Sequence, residues 1–412
     1  MSTRYGLFFE CMRIFFRIWL KIKFNTRFLH EDVVKSLKPP YLIIPNHQNT
    51  FDPFIIAERI KPKIFWVASD ANFRSSFVSF WLGLVGAIPK VKGMSDIETV
   101  RKMTDAVKSG GVVGVFAEGE RTWDGRTLPL IPSTAKLVRM LKVPVLCPVM
   151  SGGYVSLPRW SPFGRKGVIE IDFSRVLYPE DYAGMTSDQI LKTLSSLIDH
   201  DDYAWQKQNR IPFVSNKNAE YLESLLFVCR NCGAVNMMES KGNVLGCTGC
   251  GKKWTHDSYG MLNPDEGEGL TPGEWYRQQL AEFAESVEIA AAEGSDKDFF
   301  TDRGVRVTKG YKTEKGEILG TGEVSLSVAG ITMSLEKNYK GKDSLNTETT
   351  LFIPIDEVYS QSVIYMNQVE FYYKNSLYSL SFEDRPGCGI KWLHGINYIQ
   401  GSINGGNDEN KM

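Results

Sequence analysis

Apolar and polar residues follow two different patterns along the chain, and the change of pattern divides it. Between about residues 40 and 175, short apolar runs such as YLIIP, KIFWVAS and GVVGVF alternate with segments in which apolar residues recur every three or four positions. The runs predict buried strands and the segments predict amphipathic helices. This alternation predicts an α/β domain with a largely parallel sheet, in which a site is expected in the loops after the strand ends.

From about residue 299 the pattern changes to period two, as in GEVSLSVAGITMSL and QVEFYYKNSLYSLSF. With turn signals such as YKNS between the runs, this pattern predicts an antiparallel β module. The segment GIKWLHGINYIQG then predicts a closing helix whose inward residues are Trp392, Leu393, Ile396 and Ile399. A β module closed by a C-terminal helix resembles the pleckstrin-homology (PH) or GRAM-like class in topology, with no motif behind the resemblance.

These patterns divide the chain into predicted segments. They are an N-terminal amphipathic helix (1–30), the α/β domain (31–215), a cysteine-bearing ribbon (222–258), a linker helix (270–294), the β domain (297–403) and a disordered tail (404–412). Residues 186–210 predict one helix that closes the α/β domain, with His200 on a solvated acidic face rather than in a metal cluster.

The N-terminal segment combines aromatic residues with a basic stripe formed by Arg13, Arg17 and Lys21 at helical spacing. Charges interrupt every apolar run, so the segment predicts neither a secretory signal nor a spanning helix. It predicts a helix in a membrane interface, with cations toward anionic headgroups, although a helix docked on its own domain is the alternative. We therefore expect a peripheral or monotopic protein at the cytoplasmic face of a membrane, not a secreted one.

Composition narrows the choice of partners and compartment. The 412 residues carry 48 basic and 48 acidic side chains, so no global field attracts nucleic acid. Four of the seven cysteines form two Cys-x-x-Cys pairs, which favours a reducing compartment and a metal over a disulfide framework. The scattered Cys11, Cys147 and Cys388 are predicted to be small apolar fillers.

The paired cysteines predict a zinc ribbon. Cys229 and Cys232 are separated from Cys247 and Cys250 by 14 residues, and a glycine follows each pair. This spacing is typical of a four-cysteine zinc site, with GNV as the turn of a small hairpin. Four thiolates leave no open coordination position, so the predicted Zn²⁺ is structural. The nearby His256 is predicted to be a surface residue, and no redox or nucleotide cofactor is indicated.

The stretch NHQNTFDPF places His47 and Asp52 at the two ends of a strand-to-helix loop, after YLIIP and at the start of DPFIIAERI. A neutral histidine held by a carboxylate is oriented to act as a general base toward a hydroxyl group. The alternative is an aspartate that caps its own helix beside an unrelated histidine.

A second loop follows the strand VVGVF and bears Glu118, Gly119 and Arg121. An arginine at a strand end can hold a phosphate through a bidentate fork, and Lys90 and Lys92 in GAIPKVKG supply further cations. Cations near a histidine–carboxylate pair suit a phosphorylated acceptor whose free hydroxyl reaches the base. The alternative is an internal Glu118–Arg121 ion pair that only stabilises the loop.

Roughly residues 25 to 215 resemble the lysophospholipid acyltransferase family, of the 1-acylglycerol-3-phosphate acyltransferase type. The first family motif, Asn-His-x4-Asp-Pro, is intact from Asn46 to Pro53, and the third, Phe-Pro-Glu-Gly-x-Arg, has Ala117 in place of proline. The second motif has Lys92 where an arginine is usual, which bears on the acceptor more than on the chemistry. The fourth, a hydrophobic Pro-x-x-Pro strand, spans Pro144 to Pro148 with one extra residue.

The resemblance implies that His47 deprotonates an acceptor hydroxyl and that Asp52 orients and stabilises it. It implies substrate binding by Asn46, Glu118, Gly119, Arg121, Lys90 and Lys92. The hydroxyl attacks an acyl thioester without an acyl-enzyme, and no Gly-x-Ser-x-Gly elbow is present. Expected partners are a lysophospholipid, acyl-CoA or an acyl carrier protein, and an anionic membrane surface. The alternatives are a different lysolipid or glycerol phosphate acceptor, a hydrolase or transacylase, and a catalytically idle lipid-binding or tethering protein.

Overall fold

The structure is a computed structural model that describes residues 18, 20–74, 76–90, 97–293, 297–311, 316–336, 348–364, 366–382 and 387–403. The chain forms two compact units. The first comprises Met1–Asn218 with Ser258–Gly260, and the second comprises Ala219–Asp257 with Met261–Met412.

The first unit alternates strands and helices. Its described strands are β1 (Asn25–Leu29), β2 (Tyr41–Ile43), β3 (Ile64–Ser69), β4 (Ile88–Lys90), β5 (Val112–Gly114), β6 (Val145–Leu146), β7 (Val149–Ser151), β8 (Val168–Asp172) and β9 (Val176–Leu177). Its described helices are α1 (Glu31–Ser36), α2 (Asp52–Ala57), α3 (Ser76–Val85), α4 (Ile97–Lys108), α5 (Ser133–Leu141), α6 (Gly153–Ser156), α7 (Pro179–Tyr182), α8 (Ser187–Ile198) and α9 (Asp202–Asn209), with a 3-10 turn at Asp70–Phe73.

The strands of the first unit form two mixed sheets. The larger has the order β4-β3-β5-β2-β6-β9, in which β9 alone pairs antiparallel. The smaller has the order β1-β8-β7, in which β1 is parallel to β8 and β7 is antiparallel to it. The predicted strand VPVLCPVM is divided between the two sheets, with Pro148, which has no N–H to continue a ladder, at the break.

Both faces of the larger sheet are covered by apolar side chains. Tyr41 and Ile43 of β2 belong to one buried cluster, whereas Leu42 and Ile44 belong to another. A strand buried on both faces needs a continuous apolar run, which explains YLII in the sequence. Val112 and Val113 of β5 are divided between the same two clusters, so β2 and β5 are both buried on both faces.

The N-terminal prediction is corrected at its end. Residues 25–29 are strand β1 rather than part of the predicted 1–30 helix. Leu20 and Phe24 are buried in the core of the unit, while Ile22 is 80% exposed. Residues 1–17, including Arg13 and Arg17, lie outside the described part. No described helix has the length and apolar character needed to cross a membrane.

The single helix predicted over 186–210 is two helices, α8 and α9. Helix α8 ends at Ile198, and Asp201 caps the start of α9, because its side chain accepts hydrogen bonds from the backbone N–H groups of Tyr203 and Ala204. His200 is not on a solvated face: its Nε2 lies 2.9 Å from Oδ1 of the fully buried Asp202. Asp202 also accepts the N–H groups of Gly152 and Val155, so it is a structural anchor.

The second unit is antiparallel. Its described strands are β10 (Met238–Lys241), β11 (Val244–Cys247), β12 (Lys253–His256), β13 (Leu262–Pro264), β14 (Phe300–Gly310), β15 (Glu317–Leu326), β16 (Gly330–Glu336), β17 (Glu348–Pro354), β18 (Tyr359–Ile364), β19 (Gln368–Tyr373) and β20 (Ser376–Phe382). Its helices are α10 (Pro272–Ala292) and α11 (Gly389–Ile403), with 3-10 turns at Leu222–Ser224 and Ile355–Glu357.

The period-two pattern is confirmed as a seven-stranded antiparallel sheet of order β17-β16-β15-β14-β20-β19-β18. Its β19–β20 turn is the predicted YKNS, with Lys374 and Asn375 both at positive φ as a two-residue hairpin of type I′ requires. Helix α11 buries all four residues predicted to face inward. Assignment to the PH or GRAM-like class stays a prediction, and the tail 404–412 lies outside the described residues.

Helix α10 packs against both the ribbon and α11 rather than spanning free between modules. The predicted capping box is present, since Thr271 and Glu274 exchange side-chain and backbone hydrogen bonds. Gln279 accepts the N–H groups of Phe227 and Val228, and the indole of Trp275 donates to Val228 O. The helix therefore fixes the chain that leads into the first cysteine pair.

A buried polar network connects the ribbon to the large sheet. Lys391 Nζ of α11 donates to Asp302 Oδ2 at 2.8 Å and to Asn236 Oδ1 at 2.7 Å. Asn236 Nδ2 and the Trp392 indole also donate to the Asp302 carboxylate. Burial lowers the pKa of Lys391, while Asp302 opposes that shift. The pair is thus compensated by hydrogen bonds on both sides.

Of the remaining predictions for single residues, those for two cysteines are confirmed and that for His256 is wrong. Cys147 and Cys388 are buried thiols, as predicted for apolar fillers, and Cys11 lies outside the described residues. His256 is buried, with its Nδ1 2.9 Å from Asp257 O, so the prediction of a surface residue is wrong. The reason is that His256 lies on the same, inward-facing side of β12 as Trp254, two residues earlier in the strand.

Candidate functional site

The candidate site lies where β2 and β5 end side by side. The two strands are parallel and in register, with Tyr41 opposite Val112 and Ile43 opposite Gly114. The loops that follow them therefore begin at the same edge of the sheet. They meet directly, because the His47 N–H donates to Glu118 Oε1 at 2.6 Å.

His47 and Asp52 form the predicted pair. His47 Nδ1 lies 2.9 Å from Asp52 Oδ2, and the same oxygen accepts the N–H groups of Gln48 and Asn49 at 2.6 and 2.9 Å. Asp52 is fully buried at the start of α2. Its bonds go to the loop that holds His47 and not to the N–H groups of its own helix, so the helix-capping alternative does not describe it.

The His47 ring is stacked against an aromatic pair. Phe116 stacks on it at a centroid distance of 3.8 Å, and Trp66 stacks on Phe116 at 5.1 Å. Burial lowers the pKa of His47, and the Arg121 and Arg159 cations lower it further, while Asp52 raises it. The net direction is downward, which keeps the imidazole neutral at neutral pH and able to accept a proton.

Glu118 holds the two loops together. Its Oε1 accepts the His47 N–H and its Oε2 accepts the Leu128 N–H, both at 2.6 Å. Burial raises the pKa of Glu118 to about 8, and the two backbone donors oppose the shift. Because both oxygens are engaged by backbone, the alternative of a Glu118–Arg121 ion pair is not observed among the described residues.

Arg121 lies beside a second arginine that the sequence did not single out. Arg159 Nη1 donates to Glu120 Oε2 at 2.8 Å and to Arg121 O at 3.0 Å, and its guanidinium lies 4.0 Å from the Trp123 ring centre. Burial lowers the pKa of Arg121 to about 10, and Arg159 contributes to that shift. Within the described residues the Arg121 guanidinium has no ion-pair partner, so its charge stays available to an anion.

The Asn46 side chain forms hydrogen bonds with the backbone of the protein. Its side chain donates to Met150 O and accepts the Met150 N–H at 2.9 and 2.8 Å, as a strand neighbour would. Gln48, also missed by sequence reasoning, accepts the N–H groups of Gly153 and Tyr154. A Cβ on Gly153 would lie 2.5 Å from Gln48 Oε1, so a larger residue there would displace the Gln48 side chain. Both contacts position the loop of His47.

The other predicted binding residues are placed as follows. Gly119 has φ +77°, and a Cβ there would meet Ile131 at 2.7 Å, so the turn after Glu118 needs glycine. Lys90 is the last residue of β4, at the same edge of the sheet as His47. Lys92 lies outside the described residues. The family motifs could have pointed to Gln48 by adjacency, but Arg159 lies 38 residues from Arg121 and had no sequence signal.

The four paired cysteines converge in the second unit. Their sulfurs lie within 4.8 Å of one another, with Cys229–Cys250 and Cys232–Cys247 each at 3.8 Å. Sulfurs about 2.3 Å from a tetrahedral zinc are about 3.8 Å apart, so the distances fit such an ion.

The two cysteine pairs form matching turns. Gly233 and Gly251 both have positive φ, and each donates its N–H to the carbonyl of the first cysteine in its pair at 2.8 Å. The glycines predicted at these turns are thereby confirmed. Among the described residues, no other His, Cys, Asp or Glu joins this cluster, which could hold a metal ion.

Three comparisons bear on the first unit. Residues 25–151 match the family model described as Acyltransferase. A 1-acyl-sn-glycerol-3-phosphate acyltransferase of Saccharomyces cerevisiae is 27% identical over 159 residues, which are 37% of this chain and 51% of the yeast protein. The chain thus spans about half the length of that relative.

Among solved structures, the 1-acyl-sn-glycerophosphate (LPA) acyltransferase PlsC of Thermotoga maritima is 15% identical, with a TM-score of 0.42 over 50% of this chain and 83% of PlsC. The family match covers His47, Asp52, Glu118 and Arg121, the four residues that the geometry brings to one sheet edge. Residues 25–151, which carry these four side chains, are therefore similar to the Acyltransferase family.

Proposed function

We propose that the protein is an O-acyltransferase that moves a fatty acyl group from a thioester to the free hydroxyl of a lysophospholipid, with 1-acylglycerol-3-phosphate as the acceptor. The observation that carries this proposal is the half-buried, stacked His47 whose Nδ1 contacts Asp52. Because Nδ1 is engaged, Nε2 is the nitrogen that can take a proton from a substrate.

The reaction needs no residue beyond this pair for proton transfer. The acceptor oxygen attacks the thioester carbonyl as its proton moves to His47 Nε2. The carbon–sulfur bond then breaks, and the thiolate leaving group takes the proton back from the imidazolium. Asp52 stabilises that imidazolium and fixes the tautomer, as in other histidine–carboxylate pairs. Acyl-CoA and an acyl carrier protein both supply such a thioester.

The choice of a phosphorylated acceptor rests on Arg121. Its guanidinium stays charged at neutral pH and lies close enough to His47 to lower the pKa of that ring. A cation beside a general base suits a substrate that carries a phosphate and a hydroxyl together. Lys90 and Lys92 supply further positive charge in the proposal. Asn46, Glu118 and Gly119 act by shaping the loops, and the name of the yeast relative agrees with this acceptor.

The first experiment is product analysis by mass spectrometry, with purified protein, several lysolipid and glycerol phosphate acceptors, and both donor types. We expect a diacylglycerol phosphate product whose formation requires the thioester and is abolished in His47→Ala. Free fatty acid as the sole product would identify a hydrolase, and a product formed without thioester would identify a transacylase. Lipid binding without any product would favour the idle tethering protein, although the intact His47–Asp52 pair argues against it.

The acceptor role of Arg121 has its own kinetic test. We expect Arg121→Ala to lower acceptor efficiency about ten- to a hundred-fold, the value of a charge-assisted contact, with little change for the donor. Arg121→Lys should also be costly, because an ammonium cannot form the bidentate fork. Equal impairment of both substrates would exclude the phosphate contact.

The proposal extends to the rest of the chain in three respects. The four cysteines hold one structural zinc, which the 3.8 Å sulfur distances and the matching glycine turns support. The protein binds peripherally at the cytoplasmic face of an anionic membrane, which the basic and aromatic residues before residue 25 support. The second unit carries a PH-like or GRAM-like module, which its sheet and closing helix support.

A further inference from the structure

Three aromatic rings are stacked one on the next at the candidate site. The Trp66 indole lies 5.1 Å from the Phe116 ring, centre to centre, with 15° between the planes. Phe116 lies 3.8 Å from the His47 imidazole, with 22° between the planes. Trp66 belongs to β3, while Phe116 and His47 belong to the segments that follow β5 and β2. The stack therefore crosses three neighbouring strands of the larger sheet and ends on the proposed base.

Gly114 provides the space for this stack. It pairs with Trp66 in the parallel β3–β5 ladder and is the last residue of β5. A Cβ on Gly114 would lie 2.3, 2.5 and 2.7 Å from three carbons of the indole, far inside the distance of about 3.5–4.0 Å at which carbon atoms pack. Because the indole is rigid, it lies over the end of β5 only while residue 114 has no side chain. In this position it reaches Phe116, two residues further along the chain.

The hydrogen bonds of His47 leave one motion of its ring unrestrained. Its backbone N–H is held by Glu118 Oε1, and its Nδ1 is held by Asp52 Oδ2. These contacts hold the start of the side chain and one ring atom, but the ring can still rock about the line that joins them, because the last torsion of a histidine side chain has a broad energy minimum. Rocking displaces Nε2, the nitrogen that takes the proton in the proposed reaction. A flat aromatic face against the ring opposes this motion.

Trp66 holds Phe116 in place. Two nearly parallel rings at these distances from Phe116 cannot share one of its faces, so Trp66 and His47 lie on opposite faces. Trp66 is half-buried and packs against the buried cluster that contains Ile43 and Ile56. The core thus supports Trp66, Trp66 supports Phe116, and Phe116 supports the imidazole. Without the indole, the Phe116 side chain would be free to turn away from His47.

We propose that Trp66 is a positioning residue, which acts through Phe116 to hold the His47 imidazole in the plane from which Nε2 takes the proton of the acceptor hydroxyl. Trp66 lies on a strand and outside the motifs that the sequence analysis singled out. The inference rests on the proposed function and deepens it, because it adds a residue that acts on the base through a second side chain. It also gives Gly114 a role, since no other residue leaves room for the indole.

The first test uses the full chain with Trp66→Leu and Trp66→Phe, and Phe65→Leu is the matched control. Phe65 precedes Trp66 on β3 and is also half-buried. It also lies over a glycine, because a Cβ on Gly111 would be 3.0 Å from its ring. Phe65 packs on the opposite face of the sheet, against the cluster that contains Leu42, so its loss leaves the stack in place.

We expect Trp66→Leu to lower kcat for acyl transfer about three- to ten-fold, the value of an aromatic stacking contact, while the KM values of both substrates stay within about two-fold. Trp66→Phe keeps a ring on Phe116 and should retain kcat within about two-fold of wild type. Phe65→Leu should lower the unfolding midpoint and leave kcat unchanged. Unchanged kcat in Trp66→Leu overturns the inference, and so does an equal loss of kcat in Phe65→Leu, which would show a general effect of packing.

A second test leaves Trp66 in the chain. Gly114→Ala places a methyl group where the indole lies, so it should displace the indole from Phe116 and lower kcat as Trp66→Leu does, with KM retained. In the double variant the stack is already lost, so Gly114→Ala should lower kcat no further than Trp66→Leu alone. Losses that multiply in the double variant overturn the inference.

The ring of His47 also reports the stack without turnover. Protons above an aromatic face resonate upfield, so the ring signals of His47 should move downfield in Trp66→Leu and Gly114→Ala and stay in place in Phe65→Leu. Histidine-selective ¹³C labelling measures them, with assignment by their loss in His47→Gln. If the wild-type protein transfers no acyl group but the signals move, the proposed function is overturned and the positioning role is supported. Unmoved signals in both variants overturn the positioning role, whether or not the protein transfers acyl groups.

Discussion

The substitution Asp52→Asn removes one charge from the candidate site and almost no volume. Asp52 Oδ2 accepts three hydrogen bonds, from His47, Gln48 and Asn49. The amide oxygen of asparagine can occupy this position and keep all three. The Asp52 Oδ1 has no hydrogen-bond partner in the described structure, so the new amide N–H₂ would lie buried without acceptors.

Two magnitudes follow. An unsatisfied buried donor costs about 1–3 kcal/mol, so Asp52→Asn should lower the free energy of unfolding by that amount. Opposite charges about 4 Å apart interact by ~4 kcal/mol at an effective dielectric constant of about 20. Loss of that interaction with the imidazolium slows transfer by roughly 10³-fold, since each 1.36 kcal/mol is a factor of ten. A comparable substitution in a serine protease triad costs about 10⁴-fold.

Thiol release from the acyl thioester, with product identified by mass spectrometry, measures the effect on rate. Denaturant unfolding measures the effect on stability. The matched control is Asp202→Asn, which changes a second buried aspartate that contacts a histidine and accepts two backbone N–H groups. It should lose stability while transfer per folded molecule stays within a few-fold of wild type. Activity of Asp52→Asn within ten-fold of wild type would refute the assignment of His47 and Asp52.

Three further predictions concern other parts of the molecule. Because the pKa of His47 is lowered and the base must be neutral, kcat/KM of the wild-type protein should fall only as pH drops below the usual histidine range. Arg159→Met removes a cation that lowers this pKa, so the fall of kcat/KM on the acidic side should move to higher pH. Arg159→Lys keeps the cation and should leave that fall in place. An unmoved limb in Arg159→Met would contradict this electrostatic role. Cys247→Ser should lose zinc by metal analysis and destabilise the second unit, and wild-type protein purified without chelator yet free of zinc would exclude the metal. Lys391→Met should lower the free energy of unfolding by about 3–5 kcal/mol in denaturant unfolding, because it leaves Asp302 buried without its cation. Lys391→Met combined with Asp302→Asn should recover part of that loss. An unchanged unfolding midpoint in Lys391→Met would show that the pair is dispensable.

The sequence by itself determined those elements and residue pairs whose members are close together along the chain. The period of the apolar residues predicted strands β2, β3 and β5 and helices α2 to α5, because burial of one face or both imposes that period directly. The five-residue spacing of His47 and Asp52 and the glycine after each cysteine pair were also local signals. Each needs only one loop to bring its members together.

Only the tertiary structure decided contacts between distant segments. Asn46 was predicted from its motif alone, whereas its observed hydrogen-bond partner Met150 lies 104 residues away in the chain. Arg159 packs on Trp123 and so lies beside the loop of Arg121, and no pattern in the sequence predicts this contact. The exposure of α3 was equally unpredictable, because an uncharged apolar segment has the same sequence whether it lies in a core or at a surface. Side-chain type fixes what a residue can do, but the packing of remote strands decides which partner it meets.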